Sequence, residues 1–430
     1  MPTSPPALYP PSLRPVRPTQ GGRHGRPAPA RRGTLLRALG AMVVALIVAA
    51  ALVTAQLARP VPEPSVRLSH ALSGHTFGGP APVLPWPAQG QAVVDVEGLG
   101  TMGASGDPVP TPTASVAKVM TAYVFLRDHP LASGSGGPTF TISAEEAARL
   151  PARKARGESH VDVVANQPFT ERQALEALMI VSANNIAHEM ARWDAGGYAP
   201  FVRKMNATAR RLGMTDTTYT DPSGYDPGTV STASDQVKLL RAAMSIPAFA
   251  DVVSRRAYVP ADGGPARMGG NTLLGHDGVV GGKTGFTSAA GGNYVFAARE
   301  RVGGVATLIV GAVMAQPGAG DAVAAVEAGR LLVAAAVKTL TAVTLARQGQ
   351  RVAVVDDGMG GRTPLIAAAP VTVVGWPGLT VRLRTEGAVP ERAERGDRLG
   401  SLTAGPRRFP LVLDGPLGGK PVVRRLLRLG

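Results

Sequence analysis

Cysteine is absent from the chain, which excludes disulfides, thiol catalysis and thiolate metal sites and fits a protein that works outside the cytoplasm. Aromatic residues make up only 4% of the sequence. Lysine is scarce as well: seven of the 45 basic residues are lysines (118, 154, 204, 238, 283, 338 and 420), which leaves 38 arginines. This chain therefore uses arginine for general charge, and a lysine set inside a motif stands out, because arginine cannot deprotonate to act as a base. The histidines at 160, 188 and 276 are scattered, with no spacing of the His-x-x-x-His kind, and are read as non-ligands; no metal or cofactor is expected. The 53 glycines and 38 prolines follow no Gly-X-Y period, so a collagen-like chain is excluded.

Acidic residues are missing from residues 1–37, where seven arginines fall, so nearly half of the net charge of +15 belongs to one tail. The tail is Pro-rich, poor in large apolar residues and predicted to be disordered. No aromatic or nucleic-acid motif accompanies its charge, and no nucleic acid is expected as partner. The next segment, Ala38 to Leu57, has no charge and is long enough to cross a bilayer as a helix. Arginines on its N-terminal side orient the tail to the cytoplasm and the remainder to the outside. This predicts a single-pass cell-membrane protein with an extracytoplasmic catalytic part. The alternative is a cleaved signal peptide, with small residues near Val53-Thr-Ala55 and a secreted product.

Residues 58–84 are rich in proline and read as an extended linker. From residue 85 to 342, helix and strand patterns share one domain. Gln91 to Gly98 reads as a strand, and Pro112-Thr-Ala-Ser-Val-Ala-Lys-Val-Met-Thr121 as the start of a buried helix. Ser143 with Glu146 has capping-box spacing and opens a short helix to about Leu150. Helices follow from Thr170 to the Ser182 turn, on through Trp193, and from Pro200 to Leu212 with Gly213 as its stop. Asp221 to Gly228 is a compact turn, after which Ser231 or Ser234 caps a helix to about Met244. Strands are expected around 278–285, 293–299 and 305–313, the last apolar enough to be central, and then a helix from Asp321 to Lys338. Residues 343–430 show only short apolar runs between Gly and Pro turns, the pattern of a small all-β domain. The final stretch, 422–429, reads as a terminal strand or a short basic amphipathic helix.

The chemistry starts from Ser115 and Lys118. Three apart on a helix, they share a face, so the lysine amine can reach the serine hydroxyl as its base. Ser182-Ala-Asn184 follows 67 residues later at a helix junction, and Lys283-Thr-Gly285 about 100 residues further on, on a strand. Each motif alone is common. In this order, on helix start, inter-helix turn and strand, they resemble the penicillin-recognising serine peptidases, and within them the low-molecular-weight D-alanyl-D-alanine carboxypeptidases. The likeness runs from about residue 85 to 415 and includes 205–219, 229–235, the Gly282-Lys-Thr-Gly-Phe-Thr-Ser segment and Arg395 to Leu402. Two departures are Asn185, where many members have Asp, and an N-terminal rather than a C-terminal anchor.

The resemblance implies an α+β fold: a β-lactamase/transpeptidase-like domain, with an antiparallel sheet flanked by helices and a helical subdomain, followed by the small β domain. It also implies the roles. Ser115 is the nucleophile, Lys118 its base and Ser182 a proton relay. Asn184, Lys283, Thr284 and Gly285 bind substrate, and the backbone N–H groups of Ser115 and Phe286 form the oxyanion hole. The implied substrate is a peptidoglycan stem pentapeptide, with β-lactams as inhibitors. The rivals are a D,D-endopeptidase, a β-lactamase (against which no Glu-x-x-Leu-Asn deacylation motif is evident), and a catalytically silent wall-binding protein.

Overall fold

The computed structural model describes residues 31–418, apart from 61, 70, 71, 133, 261 and 319, together with Leu426. The expectation for the basic tail up to residue 30 lies outside the described residues, as does that for the terminal stretch 422–429 apart from Leu426. The chain divides into two units, Met1–Pro62 with Lys420–Gly430, and Glu63–Gly419. In the first, one helix runs Arg31–Ala58. Its Gly33–Ala58 part is long and apolar enough to span a membrane, with a mean hydropathy of 2.6. It starts several residues before the expected Ala38, since leucine, alanine and arginine all favour helix and no proline interrupts them.

The second unit is built on a five-stranded antiparallel sheet. Its strands, in spatial order, are Val279–Thr287, Gly291–Val302, Val305–Gln316, Gln91–Val96 and Gly100–Ser105. The strand expected to be central, Val305–Gln316, is the middle one. Both faces of the sheet are covered, and successive residues split between two cores. Val93, Val295, Val310 and Ala312 face a large helical core. Val94, Phe296, Ile309 and Val313 face a second core, which includes Leu332 and Val333 of the helix Val323–Thr339. Double coverage is why these strands read as unbroken apolar runs rather than alternating ones.

The helical core gathers Lys118–Asp128, Glu171–Met179, Asn184–Ala195, Tyr198–Arg211, Ala233–Met244 and Pro247–Val253. Thr170 and Gln173 form a complete capping box. Two cap expectations are corrected. Ser143 caps Ala144–Ala155, which runs past the expected end at Leu150, but the acid that reaches back to its backbone N–H is Glu189 and not Glu146. Glu146 is drawn instead to Arg153. For the helix Ala233–Met244, the cap is Thr232 and not Ser231 or Ser234: its hydroxyl accepts from Asp235 N, while Ser231 Oγ contacts Thr217.

The β domain differs from its expected extent. Its seven-stranded sheet runs, in order, Ser65–Leu68, Arg351–Asp356, Arg362–Ala367, Arg407–Leu413, Arg398–Ala404, Thr380–Glu386 and Gly74–Thr76. Both end strands come from the stretch read as a linker: Ser65 pairs with Asp356, and Gly74 with Arg382. Leu72 and Phe77 are buried in this domain's core, each worth roughly 1.5–3 kcal/mol of burial. Three- and four-residue strands between prolines have too few side chains to show a period of two, so the composition read as linker hid them.

Candidate active site

Ser115 stands on a single 3-10 turn, Ala114–Ala117, which leads directly into the helix Lys118–Asp128. The turn is held from three sides. Asn293 Nδ2 donates to Pro112 O (3.1 Å), and Thr113 N to Thr229 O (3.0 Å). On the third side, the Asp221–Tyr225 loop lies so close that a β-carbon on Gly224 would overlap the Ala114 carbonyl oxygen. Ala114 itself has φ +47°, a conformation that costs a non-glycine residue about 1–3 kcal/mol and that the surrounding contacts impose.

Lys118 is fully buried. Its Nζ donates to Ser115 Oγ (2.9 Å) and to the Ser223 carbonyl (2.7 Å). Burial, and then the positive charge of Lys283, hold its pKa well below the usual lysine value, although Asp221 and Glu158 pull the other way. A neutral amine at 2.9 Å is placed where it could accept a proton from the serine hydroxyl. The Ser223 carbonyl is positioned by Asp221, whose carboxylate accepts from the backbone of Ser223, Gly224 and Tyr225 and from Thr229 Oγ1.

Ser182 lies in the turn between Glu171–Met179 and Asn184–Ala195 at φ +64°, and its buried Oγ has no hydrogen-bond partner among the described residues. Lys283, Thr284, Gly285 and Phe286 lie on Val279–Thr287, an edge strand whose only sheet partner among the described residues is Gly291–Val302. Lys283 Nζ donates to Thr284 O (2.8 Å), and burial lowers its pKa to about 7. Ser115, Ser182, Lys283, Thr284, Gly285 and Phe286 line one open cleft of about 410 Å3. Lys118 sits directly behind Ser115. Asn184 is also set behind the lining. Its Nδ2 donates to Glu158 Oε2 (3.0 Å), while its Oδ1 is buried without a partner among the described residues.

Several groups at the site escape a reading of the sequence. Glu158 is fixed by Arg153 (2.8 Å) and Arg156 (2.6 Å). Burial alone would raise its pKa, but the hydrogen bonds from Asn184 and the two arginines outweigh it and hold the pKa below the usual range. The Asp221 loop is recognisable only as a turn, and nothing local announces that its Ser223 carbonyl meets a lysine 105 residues earlier. Arg267, which lines the cleft and donates to His160 O (2.9 Å), belongs to no motif. Asn185 is explained by its partner: its amide accepts from Val161 N (3.2 Å) and donates to Val161 O (2.8 Å), and an ionised aspartate has no proton for the second bond.

Residues 89–314 match a peptidase family described as D-alanyl-D-alanine carboxypeptidase. Among curated proteins, the chain is 36% identical over 227 residues to D-alanyl-D-alanine carboxypeptidase DacB2 of Mycobacterium tuberculosis, covering 51% of this chain and 73% of that one. It is 30% identical over 214 residues to a D-alanyl-D-alanine endopeptidase of Escherichia coli, covering 48% and 66%. Among solved structures, penicillin binding protein 5 from Haemophilus influenzae shares the fold at a TM-score of 0.56 and 19% identity. That likeness covers 80% of this chain and 100% of the other.

Proposed function

Since the chain belongs to the D-alanyl-D-alanine carboxypeptidase family of serine hydrolases, we propose that Ser115 is the residue acylated by the penultimate D-alanine of a peptidoglycan stem pentapeptide. The observation that carries this reading is the 2.9 Å contact between Ser115 Oγ and a buried lysine amine whose pKa is depressed.

In the proposed sequence, the Ser115 hydroxyl gives its proton to neutral Lys118 as Oγ bonds to the carbonyl carbon between the two terminal D-alanines. The resulting oxyanion is held by the N–H groups of Ser115 and Phe286; one such donor is typically worth ~10²–10³ in rate. The crowding of Gly285 against Ser115 N supports this pairing. The C–N bond then breaks. The proton on Lys118 passes by way of Ser182 Oγ to the departing amine, which leaves as D-alanine. Asn184 Oδ1, whose amide orientation Glu158 sets, accepts from a substrate N–H. The Lys283 ammonium and Thr284 hydroxyl hold the terminal carboxylate, and the free edge of Val279–Thr287 accepts the extended peptide as an added strand. Water attacks the ester and returns Ser115. A β-lactam enters the same first step.

The exposed apolar helix Arg31–Ala58, with arginines at its N-terminal end, supports anchoring in the cell membrane with the catalytic unit outside. Cleavage of this segment would instead release a secreted enzyme, and the size of the protein recovered from membranes separates the two.

The deciding experiment gives the purified full-length protein a pentapeptide ending in D-Ala-D-Ala and follows D-alanine release, alongside labelling by a fluorescent penicillin. Both are expected from the native chain and neither from Ser115→Ala. Labelling that survives this change rules out Ser115 as the nucleophile. The similarity to an endopeptidase makes cross-linked dimers a second substrate to test: cleavage of these in preference to free pentapeptide would assign the endopeptidase activity.

A further inference from the structure

The two ends of the Ser115 cleft differ. Along Val279–Thr287, the proposed oxyanion donor Phe286 is followed, toward the strand's start, by the proposed carboxylate ligands Thr284 and Lys283. A peptide paired antiparallel to this edge would therefore place its leaving residue at the Lys283 end. That end is closed. A β-carbon on Gly270 would lie 2.7 Å from Thr284 Oγ1, and one on Gly269 would lie 3.1 Å from Ile180 Cγ2. The segment thus fills the space between the strand and the end of the helix Glu171–Met179. The void behind it, bounded by Gly269, Gly270, Asn271 and Gly282 among others, measures about 20 Å3, room for a single water.

Arg267 stands beside this closed end. It belongs to a short hairpin in which Arg267–Met268 pairs with Ala257–Tyr258, and it precedes Gly270 by three residues. Its side chain lines the cleft and donates to His160 O (2.9 Å). The preceding residue, Ser159, accepts from Asn184 N (2.7 Å), so this loop is tied to the turn that carries Ser182. The Arg267–His160 bond therefore joins the wall next to Thr284 to the wall next to Ser182, on the side where the amine would depart. A guanidinium has five N–H donors, and Arg267 makes this one hydrogen bond and no ion pair among the described residues. Asp162, on the same loop as His160, pairs with Lys154 instead. The remaining donors are free to meet a carboxylate in the cleft. We infer that Arg267 restricts the leaving group to a single residue with a free carboxylate. Its guanidinium adds a charged partner for that carboxylate beside Lys283 and Thr284, and its bond to His160 obstructs anything larger. In a cross-linked dimer the departing amine belongs to a second stem peptide, which this end has no room for. Given the proposed reaction at Ser115, on which this rests, the protein would act as a carboxypeptidase in preference to an endopeptidase.

The test compares the full-length protein with Arg267→Ala in neutral detergent on three substrates that share their acyl part. These are a pentapeptide ending in D-Ala-D-Ala, its C-terminal amide and a cross-linked dimer. Release of D-alanine, D-alaninamide and free stem peptide is followed for each. The native protein should prefer the pentapeptide acid to both others. In Arg267→Ala, KM for the acid should rise about tenfold at near-native kcat, the loss expected for one charge-assisted hydrogen bond made equally in ground and transition states. Turnover of the amide should stay at its native value, which also shows that the variant is folded, and kcat/KM for the dimer should rise. A native preference for the dimer, an unchanged KM for the acid, or an equal loss on all three substrates overturns the role of Arg267 and leaves Ser115 as assigned. Absence of D-alanine release from the native chain overturns the reading of Ser115 and the role of Arg267 with it.

Discussion

A β-carbon on Gly285 would lie 2.7 Å from the backbone nitrogen of Ser115, closer than real side chains approach. Backbone meets backbone here: the Lys283-Thr-Gly285 segment touches the turn that bears Ser115, and the absence of a side chain is what permits the contact. The next residue, Phe286, is the other donor proposed for the oxyanion.

Gly285→Ala should therefore push the strand and the turn apart and separate the two donors. Gly285 is buried, but the added methyl would meet Ala114, Ser115 and Val116, all of that one turn, so the displacement should stay local and the fold should survive. Penicillin acylation is expected to slow by about 10²–10³, the cost of one misplaced oxyanion donor. Stopped-flow acylation beside a melting curve checks this, and unimpaired acylation would show that the crowding is harmless.

The two lysines predict a pH profile. As the proposed base, Lys118 must be neutral, so kcat/KM should fall as pH drops through its depressed pKa. The Lys283 charge is one cause of that depression. Lys283→Met removes the charge, lets the Lys118 pKa rise and should move the acid limb to higher pH. In the native protein Lys283, lowered to about 7, loses its charge above that pH. KM for a substrate with a free terminal carboxylate should accordingly rise on the alkaline side, more than for its amide. A limb that does not move in Lys283→Met would remove Lys283 as an influence on the base.

Glu158 acts through Asn184 and is a positioning residue. Glu158→Gln keeps a carbonyl oxygen for the Asn184 amide, whereas Glu158→Ala leaves that amide and Arg153 without this partner. The alanine variant should lower acylation well below the glutamine variant at similar KM for penicillin, with a stability loss of up to about 3–5 kcal/mol for the broken buried pair. Equal acylation in the two variants would reduce Glu158 to a structural role.

Asn185→Asp replaces a group that both donates and accepts with one that, when ionised, only accepts. Val161 O, buried with it, loses its donor, at a cost of about 1–3 kcal/mol. Denaturant unfolding should show this at neutral pH and show it shrink in acid, where the carboxyl regains a proton. The native chain provides the reference at each pH.

The placement of the motif residues is the part of this molecule most legible in the sequence, for a physical reason. Ser115 and Lys118 interact across one helical turn, and Lys283 to Phe286 are consecutive on one strand, so local spacing contains the information. Asn184 with Glu158, and Lys118 with the Ser223 carbonyl, are pairs created by tertiary packing, and neither partner advertises the other. Three hydroxyl residues crowd the start of the helix Ala233–Met244, and spacing alone does not reveal that Thr217 takes Ser231 and leaves Thr232 to cap. The edge strands at 65–68 and 74–76 have the same difficulty in another form: four- and three-residue segments are defined by the strands beside them.

Those two strands also fix an order of events. Ser65 must find Asp356, and Gly74 must find Arg382, each some 300 positions away. The carboxypeptidase domain is thus an insertion within the β domain. During synthesis the outer strands appear first and wait, unpaired, while everything between them is made. The β domain is the last part able to close, and a chain shortened at its front, with the whole catalytic region intact, would still leave that sheet with two bare edges.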